Sequence, residues 1–281
     1  MGDDTTKNVA ASFWAKRRVK ICSLVALILL LFAFDSSAQT LELSVERKIE
    51  ILTERLKSND TETRRDAVHQ LRVLENAVAS GIAARFLTDK AEIVRATAAE
   101  AVIFLPTEEA VRLLLPLLKD KSEFVRREAC SALGEAGGKT ATPDLIRVLV
   151  TDKEIIVRAA AAIALGEIAD ERAVESLSTV LISPKPRKKE LIDVDDFLRR
   201  STARSLGRIR DKRGVLALSA ALRDTKNSDD VRRESAFALG LIADKSAAEV
   251  LRENLNAADY LLAEIAANAL QRINSTTDEY R

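Results

Sequence analysis

Apolar residues in this chain recur at two scales. Within a segment they fall at positions 0, 4, 7, 8 and 11 counted from an opening pair, and the pair itself returns six times. The openings are Thr63-Arg64, Val94-Arg95, Val125-Arg126, Val157-Arg158, Leu198-Arg199, Val231-Arg232 and Leu262-Ala263, at steps of 31, 31, 32, 41, 33 and 31 residues. In the fourth copy the apolar or small positions are Val157, Ala161, Ala164, Leu165 and Ile168. That spacing draws one stripe down a helix. Small residues at positions 4 and 7 admit a close neighbour. In four copies a glycine follows position 8, at Gly134, Gly166, Gly207 and Gly240.

A second apolar segment follows each opening helix, predicted over Thr107–Lys119, Thr142–Val150, Arg172–Leu181, Arg213–Leu222 and Ala247–Leu255. Thr142 offers a capping hydroxyl and Pro143 a first-turn proline. Pro116 lies inside its helix and predicts a kink. A pair this short cannot bury both apolar faces alone, so pair must stack on pair. The expected fold is therefore an all-α solenoid of about seven helix pairs. Its concave side is expected to be built from the second helices. Residues 58–273 hold the repeats. Residues 39–57 read as a capping helix with the stripe Val45, Ile49, Leu52 and Leu56, and 274–281 as a polar tail.

The run from Asp120 through Arg126, Arg127 and Ala129 to Ala132-Leu133-Gly134 resembles the HEAT family, in particular the short repeats of phycobilisome lyases. Asp152 through Gly166 does so too. The resemblance spans residues 58–273 and implies a binding scaffold; with no glycine-rich phosphate loop and no paired metal ligands in the sequence, neither a cofactor nor a resident metal is expected. The resemblance also implies a ladder of Asp and Arg tying successive loops. Asp89, Asp120, Asp152 and Asp193 each stand six residues before Arg95, Arg126, Arg158 and Arg199, and Arg232 continues the arginine row. Guanidinium and carboxylate meeting through paired hydrogen bonds make directional cross-links.

Ahead of the repeats lies a different pattern. Lys16 to Lys20 is basic, Ile21 to Phe34 carries no charge, and Ser36 and Ala38 are small. This order reads as a secretory leader over residues 1–38, with an apolar run shorter than the ~20 residues a membrane span needs. An exported protein, periplasmic or extracellular, is expected. A retained leader would instead give a membrane-anchored assembly or regulatory subunit. The leader would remove five of the 44 Lys and Arg and three of the 43 Asp and Glu, leaving a nearly neutral chain. Neutral balance and few aromatics argue against nucleic acid as a partner.

Candidate chemistry is sparse. His69 is the single histidine and is followed by Gln70, so the His-Glu pairs by which some HEAT enzymes hold iron are missing. One histidine cannot build a His-rich metal centre or a supported Ser/His/Asp relay. Cys130 aligns with Val68, Ala99, Ala162, Ala203, Ala236 and Ala267 and reads as a small core residue. The 41-residue step places an insertion near Ser183–Ile192. Its Lys185, Arg187, Lys188 and Lys189 form the candidate partner-binding loop, because recognition often sits on loops held by a rigid scaffold. The expected function is non-catalytic binding of a protein or peptide. The resemblance leaves a bilin lyase as the enzymatic alternative.

Overall fold

The computed structural model describes residues 44–186 and 188–278. The predicted leader and Arg187 lie outside them. Residue contacts divide the chain after Ile51, and the unit Leu52–Arg281 carries the repeats. Helix α1 (Val45–Arg55) comes first, with Leu52 and Leu56 buried and Val45 exposed. Six pairs follow: α2 (Thr61–Val73) with α3 (Ala77–Ala83), α4 (Glu92–Ala101) with α5 (Thr107–Leu114), and α6 (Glu123–Ala136) with α7 (Thr142–Thr151). Then come α8 (Ile155–Ile168) with α9 (Val174–Leu181), α10 (Ile192–Ile209) with α11 (Val215–Arg223), and α12 (Asp229–Ile242) with α13 (Ala248–Glu253). The seventh copy is one long helix, α14 (Tyr260–Asp278), so the segment read as a polar tail begins inside it.

The repeated leucine explains the core. Leu71, Leu133, Leu165, Leu206 and Leu239 are all buried at position 8, as are Leu114, Leu149, Leu181 and Leu222 of the second helices. Each buried leucine contributes about 2 kcal/mol. The repeated glycine explains the spacing. A methyl group on Gly166 would lie 2.8 Å from the Cα of Ser205, and one on Gly207 2.9 Å from the Cα of Ala238. Gly134 and Gly240 meet Ala164 and Ala269 in the same way. First helix therefore rests on first helix almost backbone to backbone, whereas successive second helices touch sparingly.

Two local expectations are refined. Pro116 does not bend an α-helix. Its missing N–H ends α5 at Leu114, and the chain continues as a 3-10 helix over Leu115–Lys119. Thr142 is not a cap. Its hydroxyl, fully buried, donates to Asp170 Oδ2 of the next repeat at 2.9 Å, and Ala141 precedes α7 without a side-chain cap. Asp170 also accepts from Arg172, whose other hydrogen bond reaches the Lys139 carbonyl at 2.7 Å, so consecutive intra-repeat turns are sewn together.

Candidate functional site

Three loops on one edge carry a regular ladder. Arg64 donates Nε and Nη2 to both carboxylate oxygens of Asp89 at 2.9 Å. Arg95 does the same to Asp120 at 2.8 Å, and Arg126 to Asp152 at 2.7 and 2.9 Å. The remaining Nη1 of each turns back to its own loop, onto the carbonyls of Ser58, Asp89 and Asp120. Each aspartate also accepts one backbone N–H, from Ala91, Ser122 or Glu154. Burial alone would push Asp152 up. The Arg126 hydrogen bonds and the Glu154 N–H outweigh it and hold the carboxyl below its ordinary value. Every guanidinium and carboxylate here is used by the scaffold.

The regular spacing of the ladder stops at the insertion, which corrects three of the assigned rungs; beyond it Arg233 makes a bidentate pair with Asp259, at 2.7 and 2.9 Å. Asp193 is exposed in the first turn of α10 and bonds no ladder arginine. The extra residues let α10 begin six residues ahead of Leu198, so the stretch that is loop in other repeats is helix here. Arg199 instead takes Asp195 one turn earlier, at 2.6 Å, and the carbonyls of Leu181 and Ser183. Arg158 meets no carboxylate among the described residues and donates Nε to the Leu149 carbonyl. Arg232 reaches Asn254 Oδ1 at 3.1 Å, an amide where the other rungs have a carboxylate. Arg64, absent from the expected set, heads the ladder. Its place six residues after Ser58 carried the signal.

The candidate loop is tied down where it can be followed. Lys185 donates to the Lys226 carbonyl at 2.6 Å and approaches Asp196 at 3.4 Å. It serves as a tether between neighbouring loops. Lys188 is exposed, Arg187 is outside the described residues, and of Lys189 only the backbone is described. His69 is exposed on α2. Cys130 is fully buried, and burial pushes its thiol up to about 12. Among the described residues no three His, Cys, Asp or Glu side chains converge as a metal site.

Outside the ladder lies the face of the first helices at repeat positions −1, 2, 3, 6 and 10, exposed or half-buried except where Ala96, Thr97, Ala159, Ala160 and Ser201 are covered. Three phenylalanines stand there, each under an arginine: Phe124 with Arg127 at 5.0 Å, Phe197 with Arg200 at 5.6 Å and Phe237 with Arg272 at 5.7 Å. Phe237 is 42% exposed. With Gly240, Ile265, Asn268 and Arg272 it lines a hollow of about 470 Å³. Phe237 and Ile265 also border an adjoining hollow walled by Arg200, Arg204, Asp230 and Glu234. Lateral ion pairs cross this face, Arg204 with Glu234 at 2.8 Å and Arg200 with Asp230 at 3.3 Å. No single repeat in the sequence assembles this face.

Models of HEAT repeats match residues 49–128, 80–154, 113–193 and 184–271. The chain belongs to the HEAT-repeat family. Among solved structures, this HEAT-repeat protein is similar to the complex of CpcE and CpcF of phycocyanin lyase from Nostoc sp., at 21% identity over 83% of this chain and 95% of that chain, TM-score 0.50. An engineered protein matches at 23% identity over 80% and 68%, TM-score 0.49. Human deoxyhypusine hydroxylase matches at 18% over 82% and 97%, TM-score 0.41. At such identities the likeness is one of fold. Comparison with curated proteins gives no match.

Proposed function

We propose that this protein is a non-catalytic, exported scaffold that holds a protein or peptide partner on the face of its first helices. The observation that carries the reading is the row of Phe124, Phe197 and Phe237, each paired with an arginine. Aromatic residues and arginine dominate the binding energy of protein interfaces, and a repeat scaffold offers them preformed, so binding need not first order the receptor. A stacked array bends toward its more closely packed layer. The backbone contacts at Gly166 and Gly207 therefore favour the first helices, not the second, as the gripping side. Export rests on the leader pattern of residues 1–38. Lyase chemistry, named for the Nostoc complex, is not carried over on fold alone.

A photo-crosslinking residue at Ser131 or Asn268 is expected to capture one discrete partner from the exported fraction. The same residue at Leu216, 82% exposed on α11, is expected to capture none. Capture must fall when Phe237 is changed to Ala. Equal labelling from all three positions, or labelling indifferent to Phe237, removes the proposal. A chain beginning at Gln39 by N-terminal sequencing supports a released exported protein, and an intact Met1 favours the membrane-anchored assembly or regulatory subunit instead.

A further inference from the structure

Charge on the first-helix face is sorted along the repeat axis. Toward the N-terminal half stand Glu100 on α4, Glu128 and Glu135 on α6, and Glu167 on α8; Arg127 is the basic exception. Toward the C-terminal half stand Arg200, Arg204 and Arg208 on α10, Arg233 on α12 and Arg272 on α14. Of these, Arg204 pairs with the largely covered Glu234 and Arg233 with Asp259, while exposed Asp230 and Glu264 are the acidic exceptions on this half. Where the two zones meet, Ile156, Ile163 and Phe197 are half-buried and apolar. Crowding within the acidic zone has a measurable consequence. Burial and then the Glu128 charge lift Glu100, and burial lifts Glu167 against the pull of Arg208.

We infer that the partner segment is bipolar: an extended polypeptide of roughly 14 residues, basic at one end, apolar in the middle and acidic at the other. The inference rests on the proposed role of this face as the gripping side. The length follows from spacing. Six first helices from α4 to α14, at about 9 Å between axes, span about 45 Å, which an extended chain covers at about 3.3 Å per residue. The polarity follows from complementarity. A segment of one sign gains on one half of the face and is repelled by the other, whereas a sorted segment gains on both. Phe197, under Arg200, and Phe237, in the hollow walled by Arg200 and Arg204, supply apolar anchor points for its middle and acidic part.

The test uses dye-labelled 14-residue peptides of designed sequence and the full chain, read by fluorescence anisotropy. One peptide carries a lysine block, a Phe-Leu centre and a glutamate block. A second has the same composition with the charges interleaved, and two others are all-lysine and all-glutamate. The blocked peptide should bind at least ten-fold tighter than the interleaved one, and that advantage should shrink as salt rises. The double variant Arg204→Glu with Arg208→Glu should lose the advantage and gain affinity for the all-lysine peptide. The pair Glu135→Lys with Glu167→Lys, on the other half, should lose it and gain affinity for the all-glutamate peptide, which keeps the test informative if one variant folds poorly. Equal affinity for blocked and interleaved peptides overturns the inference. So does sedimentation as a dimer that Arg204→Glu dissolves, since a second copy would then occupy the face. If crosslinks from Ser131 and Asn268 still capture a partner while the peptides show no polarity, the gripping face stands and only the bipolar ligand fails.

Discussion

One substitution type, made at two glycines, should move stability in opposite directions. Gly207 lies in α10, where an added methyl would sit 2.8 Å from the Cβ and 2.9 Å from the Cα of Ala238 on α12. Gly81 lies in α3, exposed, with nothing within 4 Å of the same added atom. Gly→Ala in a helix interior gains about 1 kcal/mol in propensity. At Gly81 nothing opposes that gain, so Gly81→Ala should stabilise by about 0.5–1 kcal/mol. At Gly207 the gain competes with overpacking, which costs about 1–3 kcal/mol in a tight core. The obstructing atoms include backbone, so the upper part of that range applies. A net loss of about 1–2 kcal/mol is expected.

Urea unfolding followed by circular dichroism at 222 nm reads both variants against the parent. The midpoint should rise for Gly81→Ala and fall for Gly207→Ala, with unchanged slopes. In thermal melts a kcal/mol corresponds to about 2–4 °C for a protein of this size. A Gly207→Ala protein as stable as the parent, or more so, would mean that the first helices do not stack as closely as described. The argument for the gripping side would then lose its footing.

Two further outcomes follow from the buried polar and thiol groups. Asp152→Asn leaves the buried Arg126 guanidinium without its counter-charge and should cost about 3 kcal/mol, while Asp193→Asn, exposed in α10, should change stability by less than about 0.5 kcal/mol. Because the folded-state pKa of Asp152 is depressed below its ordinary 3.8, its contribution is complete above that value and is lost as pH falls through the lower, folded-state value; acid titration of the parent should therefore show a loss that Asp152→Asn lacks. Cys130, with its thiol pushed up to about 12 and buried, should be inert to a thiol reagent at neutral pH and react fully once the chain is unfolded; prompt labelling of the native protein would contradict its place in the core.

The stacked helices were legible in the sequence because their signal is redundant. A stripe at 0, 4, 7 and 8 repeated seven times leaves few competing phases, and Leu133, Leu165 and Leu206 are buried where the period puts them. The first ladder rungs were legible for the same reason: an identical spacing in identical loops gives Asp120 and Asp152 the same job. The periodicity failed where a single event broke it. Asp193 and Asp195 are chemically equivalent and two residues apart. Only the early start of α10 decides that Asp195 lies one turn before Arg199 while Asp193 faces solvent. The proposed gripping face was illegible for a different reason. Charged residues on the second helices are conspicuous in sequence, whereas the closeness of the first helices is encoded by what glycine and alanine lack, and absent side chains show their consequence only when a neighbouring backbone fills the space. Once Gly166 is seen against Ser205 and Gly207 against Ala238, variation on that layer falls to positions −1, 2, 3, 6 and 10. Sorting of charge along them then carries information that no single repeat contains, because a polarity of this kind exists only between repeats.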